Sequence, residues 1–383
     1  MPCTVYPHRL ESNVPKRREF LLGSVAGLAT MASSRSALAQ ASSPSLRTYL
    51  ADEMRKARIP GMQVTVVRQE RILFLEHFGL ADIENAVPVT GATVFQIASL
   101  TKAFVGVAVM QLLESGKLDL GDPVSRHLEE LPVAWRAVTV GQLAAHTSGL
   151  PDIVADINSL RLVVDGDAEA SWERVRTMPM ASAPGERFDY NQTNHVLLGR
   201  IIDRLAGEPF TRFLRQRQFD VAGMTRTVFG DDHDVVPHSA RTYTPYLVVD
   251  GQPRRTDVMY KVHTEFPPML RTCGGMNSTA EDIARWLIAL QRGELLRRRS
   301  NLVGLRTALP LNDGSPGPWG IGGRVNARRS HPVFYGVGAA KAAFGVYPQD
   351  DLALVVLTNL SADMGLPFLD GIAAQFLPDL RGN

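Results

Sequence analysis

The sequence predicts an α/β protein in which one antiparallel sheet is flanked by helices and an all-helical lobe is inserted between its strands. Two observations predict this class. Segments with strand-like apolar patterns lie near both ends of the chain, at 61–78 and after about residue 318. Helical periodicity and chain breakers such as Pro123, Pro132 and Pro184 fill the middle. The simplest packing joins the two ends in one sheet and inserts the middle as a helical lobe.

Periodicity places the elements in a definite order along the chain. Apolar residues at helical spacing predict helices at Ser45–Ala57, Ser99–Leu113, Val196–Leu205, Glu281–Leu290 and Phe368–Phe376. Alternating or continuously apolar runs predict strands at Gly61–Val67, Ile72–Phe78, Gly320–Val325, Ala342–Tyr347 and Leu352–Leu357. We therefore assign the α/β lobe to about 46–98 and 290–383, and the helical lobe to about 99–289.

The composition excludes several function classes. The 383 residues are 45% hydrophobic and 21% charged, with a formal net charge of +2, which is ordinary for a globular protein and gives no electrostatic case for nucleic acid. His233 and His238 lack the spacing of metal ligands, and neither a zinc-binding helix motif nor a dinucleotide-binding glycine loop occurs. No cofactor and no metal is expected, and the oligomeric state stays open.

Residues 1–39 have the order of charges and apolar residues that is typical of an export signal. The run from Lys16 to Leu22 resembles a twin-arginine motif, a short apolar segment follows, and Ala37-Leu38-Ala39 is a plausible cleavage site. The apolar segment is too short to span a bilayer, so no stable membrane anchor is expected. The prediction is a periplasmic or secreted domain over 40–383, in which Cys273 is the single cysteine and no internal disulfide forms.

Ser99 and Lys102 form the most informative pair in the chain. Positions three apart share a helix face, so the lysine can contact the serine hydroxyl. A desolvated lysine can act as a base, whereas arginine keeps its proton, and only six of the 41 Lys and Arg residues are lysines. This pattern predicts Ser99 as a nucleophile that Lys102 activates.

A lysine base needs a second group that returns a proton to the leaving group. Tyr190 is the best candidate, because it lies in a polar cluster that follows the Pro184-Gly185 turn and precedes an apolar helix. A tyrosine beside cationic groups can ionise and act as a base. His146, by contrast, is predicted to be a structural turn residue.

The segment from Phe95 to Lys102 resembles the nucleophile motif of the serine β-lactamase and penicillin-binding-protein superfamily, in particular the class C β-lactamase and family VIII esterase branch. Further segments match in order, and they extend the resemblance over about 46–378: Leu118–Val124, Leu143–Pro151, Pro184–Gly199, Gly274-Gly275 with Ser278–Ala280, and Trp319–Gly322. The resemblance implies the β-lactamase/transpeptidase-like fold with its active site between the lobes. It implies Ser99 as the acylated nucleophile, Lys102 as its activator, Tyr190 as general base, and an oxyanion hole from the Ser99 N–H and a strand N–H near 336–340.

Two departures from the family pattern concern substrate binding. The family has Tyr-x-Asn where this chain has Tyr190-Asn191-Gln192, so an amide on a longer arm is predicted to contact the substrate. The third family motif, a basic residue or histidine before a glycine, is poorly kept in the stretch 331–338. Tyr335 or His331 is a candidate for that role beside Gly336 and Gly338, and Lys341 follows shortly after.

These features predict an exported serine hydrolase that works through a covalent acyl-Ser99 intermediate. Its substrate would be a small ester, a peptide-like amide such as a peptidoglycan peptide, or a β-lactam. Gln192 and the missing third cation favour an esterase or peptidase over a β-lactamase. The alternatives are a penicillin-binding or DD-peptidase-like protein with slow turnover and a non-catalytic binding domain.

Overall fold

The computed structural model of the chain describes residues 44–382, except 158–159, 250–251, 328–329, 340 and 362–364. The predicted signal peptide lies outside the described residues. In chain order the strands are β1 Gly61–Arg68, β2 Arg71–Asp82, β3 Val87–Pro88, β4 Phe95–Gln96, β5 Val154–Asp156, β6 Arg161–Leu162, β7 Val228–Phe229, β8 Tyr243–Val249, β9 Gln252–Lys261, β10 Met276–Ser278, β11 Arg324–Asn326, β12 Val333–Gly338, β13 Ala342–Tyr347 and β14 Leu352–Thr358.

The α-helices surround these strands. They are α1 Pro44–Ala57, α2 Thr101–Glu114, α3 Val140–Ala144, α4 Ala168–Arg176, α5 Gln192–Ala206, α6 Phe210–Leu214, α7 Asp220–Ala222, α8 Arg271–Gly274, α9 Ala280–Gln291, α10 Arg299–Leu305 and α11 Leu366–Ala373. Short 3₁₀ turns lie at Ala98–Leu100, Val124–Arg126, Val133–Trp135, Pro268–Leu270 and Pro378–Gly382, and a π turn lies at Arg215–Phe219.

The two ends of the chain meet in one antiparallel sheet. Over the described residues it has seven strands in the order β11-β12-β13-β14-β1-β2-β3. The central pair joins β1 to β14 in continuous register, from Met62 opposite Thr358 to Arg68 opposite Leu352. The predicted fold class is therefore confirmed: strands from both ends form the sheet, and the mainly helical middle is an insertion between them.

Helices cover both faces of this sheet, which explains why β14 is apolar without alternation. Val356 points into a core with Leu50 of α1 and Ile372 of α11. Val355, its neighbour, points into the core on the other face with Leu287 of α9. Full burial of each such side chain stabilises the fold by about 1.5–3 kcal/mol relative to an exposed one.

The predicted helices occur, and two of them, α5 and α9, begin directly after a capping side chain. Asn191 caps α5 by accepting the Asn194 N–H, so this helix begins at Gln192, four residues before the predicted start. Thr279 caps α9 in the same way, through the Asp282 N–H. The last predicted helix is displaced, because α11 runs from Leu366 to Ala373.

The predicted strand at Gly320–Val325 is wrong over most of its length. Only Arg324–Asn326 form β11, and the preceding glycines form a loop against α2. Gly322 has a φ of +90°, and a Cβ there would lie 2.6 Å from the Lys102 carbonyl oxygen. The apolar pattern reflects this close approach of two backbones rather than a strand.

The middle of the chain also contains strands that the sequence pattern does not predict. The longest are β8 and β9, which pair as an antiparallel hairpin. Most β9 side chains are exposed, so this strand has no apolar face that could produce a period of two. Helix α9 packs on β1 and β14 across the predicted lobe boundary at 289/290, and the division into lobes stays a prediction.

Candidate active site

A 3₁₀ turn presents Ser99 immediately before helix α2. Ala98 in this turn has a φ of +44°, a left-handed conformation that is costly for a residue with a Cβ. The turn is held by the Ile97 N–H bond to the Met276 oxygen at 3.0 Å and by the Thr101 hydroxyl bond to the Ala98 oxygen at 2.7 Å. Ser99 therefore lies at the positive end of the α2 dipole.

Three side chains predicted to be catalytic meet at one oxygen atom. Tyr190 Oη donates to Ser99 Oγ at 2.9 Å, and Lys102 Nζ donates to the same atom at 3.3 Å. The lysine nitrogen also lies 4.9 Å from the centre of the Tyr190 ring. Ser99 and Tyr190 are partly exposed, so a substrate can reach Ser99 Oγ from solvent. The buried Lys102 contacts the same atom from the protein interior.

Lys102 lies completely within the protein, on the apolar helix α2. Its ammonium group donates to the Cys273 carbonyl oxygen at 2.7 Å. Cys273 in turn donates from Sγ to the Gln192 carbonyl oxygen at 3.5 Å, and burial raises the pKa of this thiol to about 11. The fixed direction of the lysine side chain thus depends on helix α8, which carries Cys273.

Tyr190 is held by a buried aromatic cluster. The His146 ring lies 4.6 Å and the Trp319 ring 5.5 Å from its own ring. His146 Nδ1 accepts the Asn191 N–H at 3.1 Å, and burial lowers the pKa of His146 well below its usual range. A neutral, buried imidazole agrees with the predicted structural role, but the sequence did not reveal that it packs directly on Tyr190.

The end of strand β12 lies against the turn that carries Ser99. A Cβ on Gly338 would lie 2.0 Å from the Ile97 oxygen and 3.2 Å from the Leu100 nitrogen. Only a glycine allows the strand this close to the turn. This contact brings the strand predicted to share the oxyanion hole to the Ser99 backbone, and Gly336 lies two residues earlier on the same face of β12.

The candidates for the third family motif do not face Ser99, which corrects the predictions for Tyr335 and His331. Tyr335 packs into the core on the sheet face opposite Gly338, because successive side chains of a strand alternate. His331 Nδ1 bonds Asp350 at 2.9 Å in the turn at the other end of β12. Lys341 is buried, and its ammonium donates to Gln96 Oε1 at 2.9 Å and Thr242 Oγ1 at 3.2 Å. Desolvation lowers the Lys341 pKa to about 8.

Gln192 is the first residue of α5 and is 2% exposed. Its backbone N–H donates to Asp152 Oδ1 at 3.0 Å, and its side-chain Nε2 is buried without a partner among the described residues. Burial raises the pKa of Asp152 to about 6. Sequence reasoning missed Asp152, although it directly follows the matched segment Leu143–Pro151.

Arg324 is a second residue that sequence reasoning missed. Its guanidinium lies 5.4 Å from the Trp319 ring, the ring that packs beside Tyr190. After burial and the charge of Lys102, the positive charge of Arg324 also contributes to the lowered pKa of His146. The sequence did not indicate a role for Arg324, because the predicted strand begins at Gly320, four residues before the start of β11.

The Beta-lactamase family model matches residues 46–375. The chain belongs to the Beta-lactamase family. Protein flp of Staphylococcus aureus (strain MRSA252) is 28% identical over 246 residues, which are 63% of this chain and 47% of flp. The chain thus spans about half the length of this curated relative.

Two solved structures support the fold of this β-lactamase family member. D-amino acid amidase from Ochrobactrum anthropi SV3, complexed with D-phenylalanine, has a TM-score of 0.73 at 24% identity, over 87% of this chain and 98% of that one. EstCE1, a hydrolase with promiscuous acyltransferase activity, has a TM-score of 0.71 at 20% identity, over 89% and 98%. Within the described residues, no helix combines the length and apolarity that a bilayer crossing requires.

Proposed function

We propose that this β-lactamase family member hydrolyses small esters or peptide-like amides through an acyl-Ser99 intermediate. The observation that carries the proposal is the convergence of Lys102 Nζ and Tyr190 Oη on Ser99 Oγ, at 3.3 and 2.9 Å. Tyr190 Oη lies within the roughly 2.6–3.2 Å over which a general base takes a proton, and Lys102 Nζ lies just beyond that range, as is common before a substrate binds.

The reaction proceeds in two balanced halves. Ser99 Oγ attacks the substrate carbonyl carbon while its proton passes to the Lys102 and Tyr190 pair, and that proton then leaves with the alcohol or amine as the scissile bond breaks. Water attacks the acyl carbon while one of its protons passes to the same pair. The bond between the acyl carbon and Ser99 Oγ then breaks, the proton returns to Oγ, and the carboxylic acid leaves. The backbone N–H of Ser99 and the strand ending at Gly338 stabilise the oxyanion in both halves.

The substrate class is inferred from the third family motif, which brings no basic side chain to Ser99 among the described residues. Neither Tyr335 nor His331 reaches Ser99, and Lys341 is engaged with Gln96 and Thr242. Efficient capture of a β-lactam carboxylate by that motif is therefore disfavoured, whereas esters and amides need no such cation.

The first experiment tests whether Ser99 is a reactive nucleophile. Purified protein is incubated with a fluorophosphonate, and the modified peptide is identified by mass spectrometry. We expect one adduct on Ser99 and none in Ser99→Ala, with Ser278→Ala, a buried serine outside the site, as the control that is still labelled. A native chain without an adduct would support the alternative of a non-catalytic binding domain.

A substrate comparison then separates the remaining alternatives. Nitrocefin is tested beside p-nitrophenyl acetate and butyrate at equal enzyme concentration, and we expect ester cleavage to exceed nitrocefin turnover. Rapid nitrocefin turnover without ester cleavage would indicate a β-lactamase. A long-lived penicilloyl adduct on Ser99 would indicate a penicillin-binding or DD-peptidase-like protein.

Arg324 lies outside the third motif, with its guanidinium over the Trp319 ring that packs beside Tyr190, and we propose it as the binding partner of an anionic substrate group. We expect Arg324→Gln to raise KM about 10- to 100-fold for the p-nitrophenyl monoester of adipic acid, because a charge-assisted contact contributes about 1.5–3 kcal/mol. The KM for neutral p-nitrophenyl butyrate stays unchanged. Arg254→Gln, on the exposed strand β9, is the matched control. Equal KM changes for both esters would exclude a role of Arg324 in charge recognition.

We also propose that the domain is exported through the twin-arginine route and acts in the periplasm or outside the cell, on the basis of residues 1–39. The full chain is expressed in a Gram-negative host and followed by fractionation and N-terminal sequencing. Replacement of Arg17 and Arg18 by lysines is expected to retain the precursor in the cytoplasm. Unchanged processing of that variant would contradict the proposal.

A further inference from the structure

Two histidines and a glutamate that play no part at Ser99 meet on the surface. His233 follows strand β7, and His263 and Glu265 follow strand β9. His233 Nε2 lies 3.0 Å and His263 Nε2 lies 3.5 Å from the same glutamate atom, Oε1. One ligand atom from each of the three lies within 4.8 Å of the others. Sequence spacing could not reveal this cluster, because thirty residues separate the two histidines.

The distances fit one bound transition-metal ion. Ligand atoms about 2.0–2.2 Å from a tetrahedral Zn²⁺ are about 3.3–3.6 Å apart, so rotation of exposed side chains has to bring atoms that lie within 4.8 Å of one another to this spacing. The two imidazole planes stand almost perpendicular, at 88°, with centroids 5.0 Å apart. Both Nε2 atoms can therefore point toward one centre without a clash of the rings.

A second carboxylate lies where an outer partner of a metal ligand is expected. His263 uses Nε2 toward Glu265, and its other nitrogen, Nδ1, lies 3.8 Å from Asp232 Oδ2. Metal-bound histidines commonly donate their free ring N–H to such a carboxylate, which fixes the tautomer and the ring orientation. The glutamate and this aspartate also offset the charge of a divalent cation.

The backbone that carries the ligands is fixed before any ion binds. Asp232 Oδ2 accepts the Thr264 N–H at 2.6 Å, which joins the two ligand-bearing segments. Asp231 accepts the His233 N–H at 2.9 Å and the Phe266 N–H at 2.8 Å. Little backbone order would have to be gained on binding, which favours affinity.

We propose that His233, His263 and Glu265 bind one Zn²⁺ or a similar borderline transition-metal ion, with an open fourth position toward solvent. The side chains are 64%, 57% and 60% exposed, so the ion can enter directly from solution. The site ties the segment after β7 to the segment after β9. Gln96, three residues before Ser99, donates to Asp232 Oδ1 at 2.8 Å, so the site lies at the outer end of a hydrogen-bonded chain that includes Lys341.

The experiment uses untagged, chelator-treated full-length protein without a substrate. Zn²⁺ is titrated calorimetrically, and Co²⁺ is titrated in parallel because its absorption reports tetrahedral coordination. We expect one equivalent of each ion to bind and the melting temperature to rise with Zn²⁺. His233→Ala, His263→Ala and Glu265→Gln are each expected to lower the affinity at least about tenfold.

His77→Ala is the matched control, because this exposed histidine lies on β2 outside the cluster. The control is expected to bind one equivalent with native affinity. Absence of saturable binding by the native chain, or equal affinities in His263→Ala and His77→Ala, would overturn the proposal. All four substituted side chains are exposed, and circular dichroism of each variant verifies the fold before titration.

Discussion

Tyr190 Oη lies 2.9 Å from Ser99 Oγ, closer than the 3.3 Å that separate Lys102 Nζ from the same oxygen. The lysine makes its shorter bond, 2.7 Å, to the Cys273 carbonyl oxygen. The two groups therefore differ in their freedom: Lys102 is anchored by the protein interior, whereas the Tyr190 hydroxyl has only Ser99 as a partner among the described residues. This arrangement suits the tyrosine to carry a proton toward a departing group.

The first prediction concerns that hydroxyl. Tyr190→Phe removes the oxygen but keeps the ring that packs on His146 and under Lys102 Nζ. We expect the acylation rate with p-nitrophenyl acetate to fall about 10²- to 10⁴-fold, as is typical when a general acid or base is lost. Stopped-flow kinetics of p-nitrophenol release measures this rate.

Tyr347→Phe is the control for that experiment. The Tyr347 hydroxyl also makes one short bond, to Asp370 at 2.8 Å, but it lies in the core beside α11. We expect it to leave the acylation rate within twofold and to lower the free energy of unfolding by about 1 kcal/mol. Similar rate losses in both variants would mean that Tyr190 acts only through the fold.

The second prediction concerns the identity of the base. Lys102→Arg keeps a positive charge but replaces a group that can deprotonate with one that cannot. We expect phosphonylation of Ser99 by a fluorophosphonate to slow by about two to four orders of magnitude. Lys341 is also buried, and Lys341→Arg separates the chemical effect from the effect of a larger cation in the interior. Near-native labelling of Lys102→Arg would remove this lysine from the mechanism.

The site residues that the sequence predicts are those whose evidence lies close together along the chain. Ser99 and Lys102 were predictable together, because one helix turn joins them. Tyr190 was predictable only through its motif, since 91 residues of chain separate it from Ser99. Arg324 was not predictable, because its position depends on the exact start of β11 and on a ring, Trp319, that reaches Tyr190 through tertiary packing.

The same reasoning explains the fold. The sheet was predictable because β1 and β14 are buried on both faces and so have strong apolar patterns. Strand β9 was not, because its side chains face solvent and carry no such pattern. The loop before β11 was mistaken for a strand, because its apolar residues alternate with glycines that are needed for backbone contact with α2.

The third prediction tests the contact between β12 and the nucleophile turn. In Gly338→Ala the new methyl group would overlap the Ile97 oxygen, which is backbone and cannot rotate away. The strand and the turn must separate, so we expect acylation to fall at least tenfold and the free energy of unfolding to decrease by about 1–3 kcal/mol. Urea unfolding and single-turnover kinetics measure the two effects.

Gly304→Ala provides the comparison. This glycine lies within α10, where a Cβ would make an ordinary 3.5 Å contact with Met110. We expect a small gain in stability, up to about 1 kcal/mol, because alanine favours helix over glycine. A Gly338→Ala variant that behaves like Gly304→Ala would show that β12 does not constrain Ser99.

The last prediction uses the buried carboxyl of Asp152. Its pKa is raised to about 6 from 3.8 because burial disfavours the charged form. Its contribution to stability is therefore complete below pH 3.8 and is lost as the pH rises through about 6.

Asp152→Asn keeps an oxygen that accepts the Gln192 N–H but does not titrate. From pH 4 to 7 we expect the free energy of unfolding of the native chain to fall relative to Asp152→Asn, by at most about 3 kcal/mol. Urea unfolding of both proteins at each pH measures the difference. The reference is Asp313→Asn, an exposed site; this variant keeps Asp152, so from pH 5 to 7 its free energy of unfolding is expected to decline in parallel with that of the native chain. A constant difference between the native chain and Asp152→Asn would mean that Asp152 is already ionised at pH 4 in the folded protein.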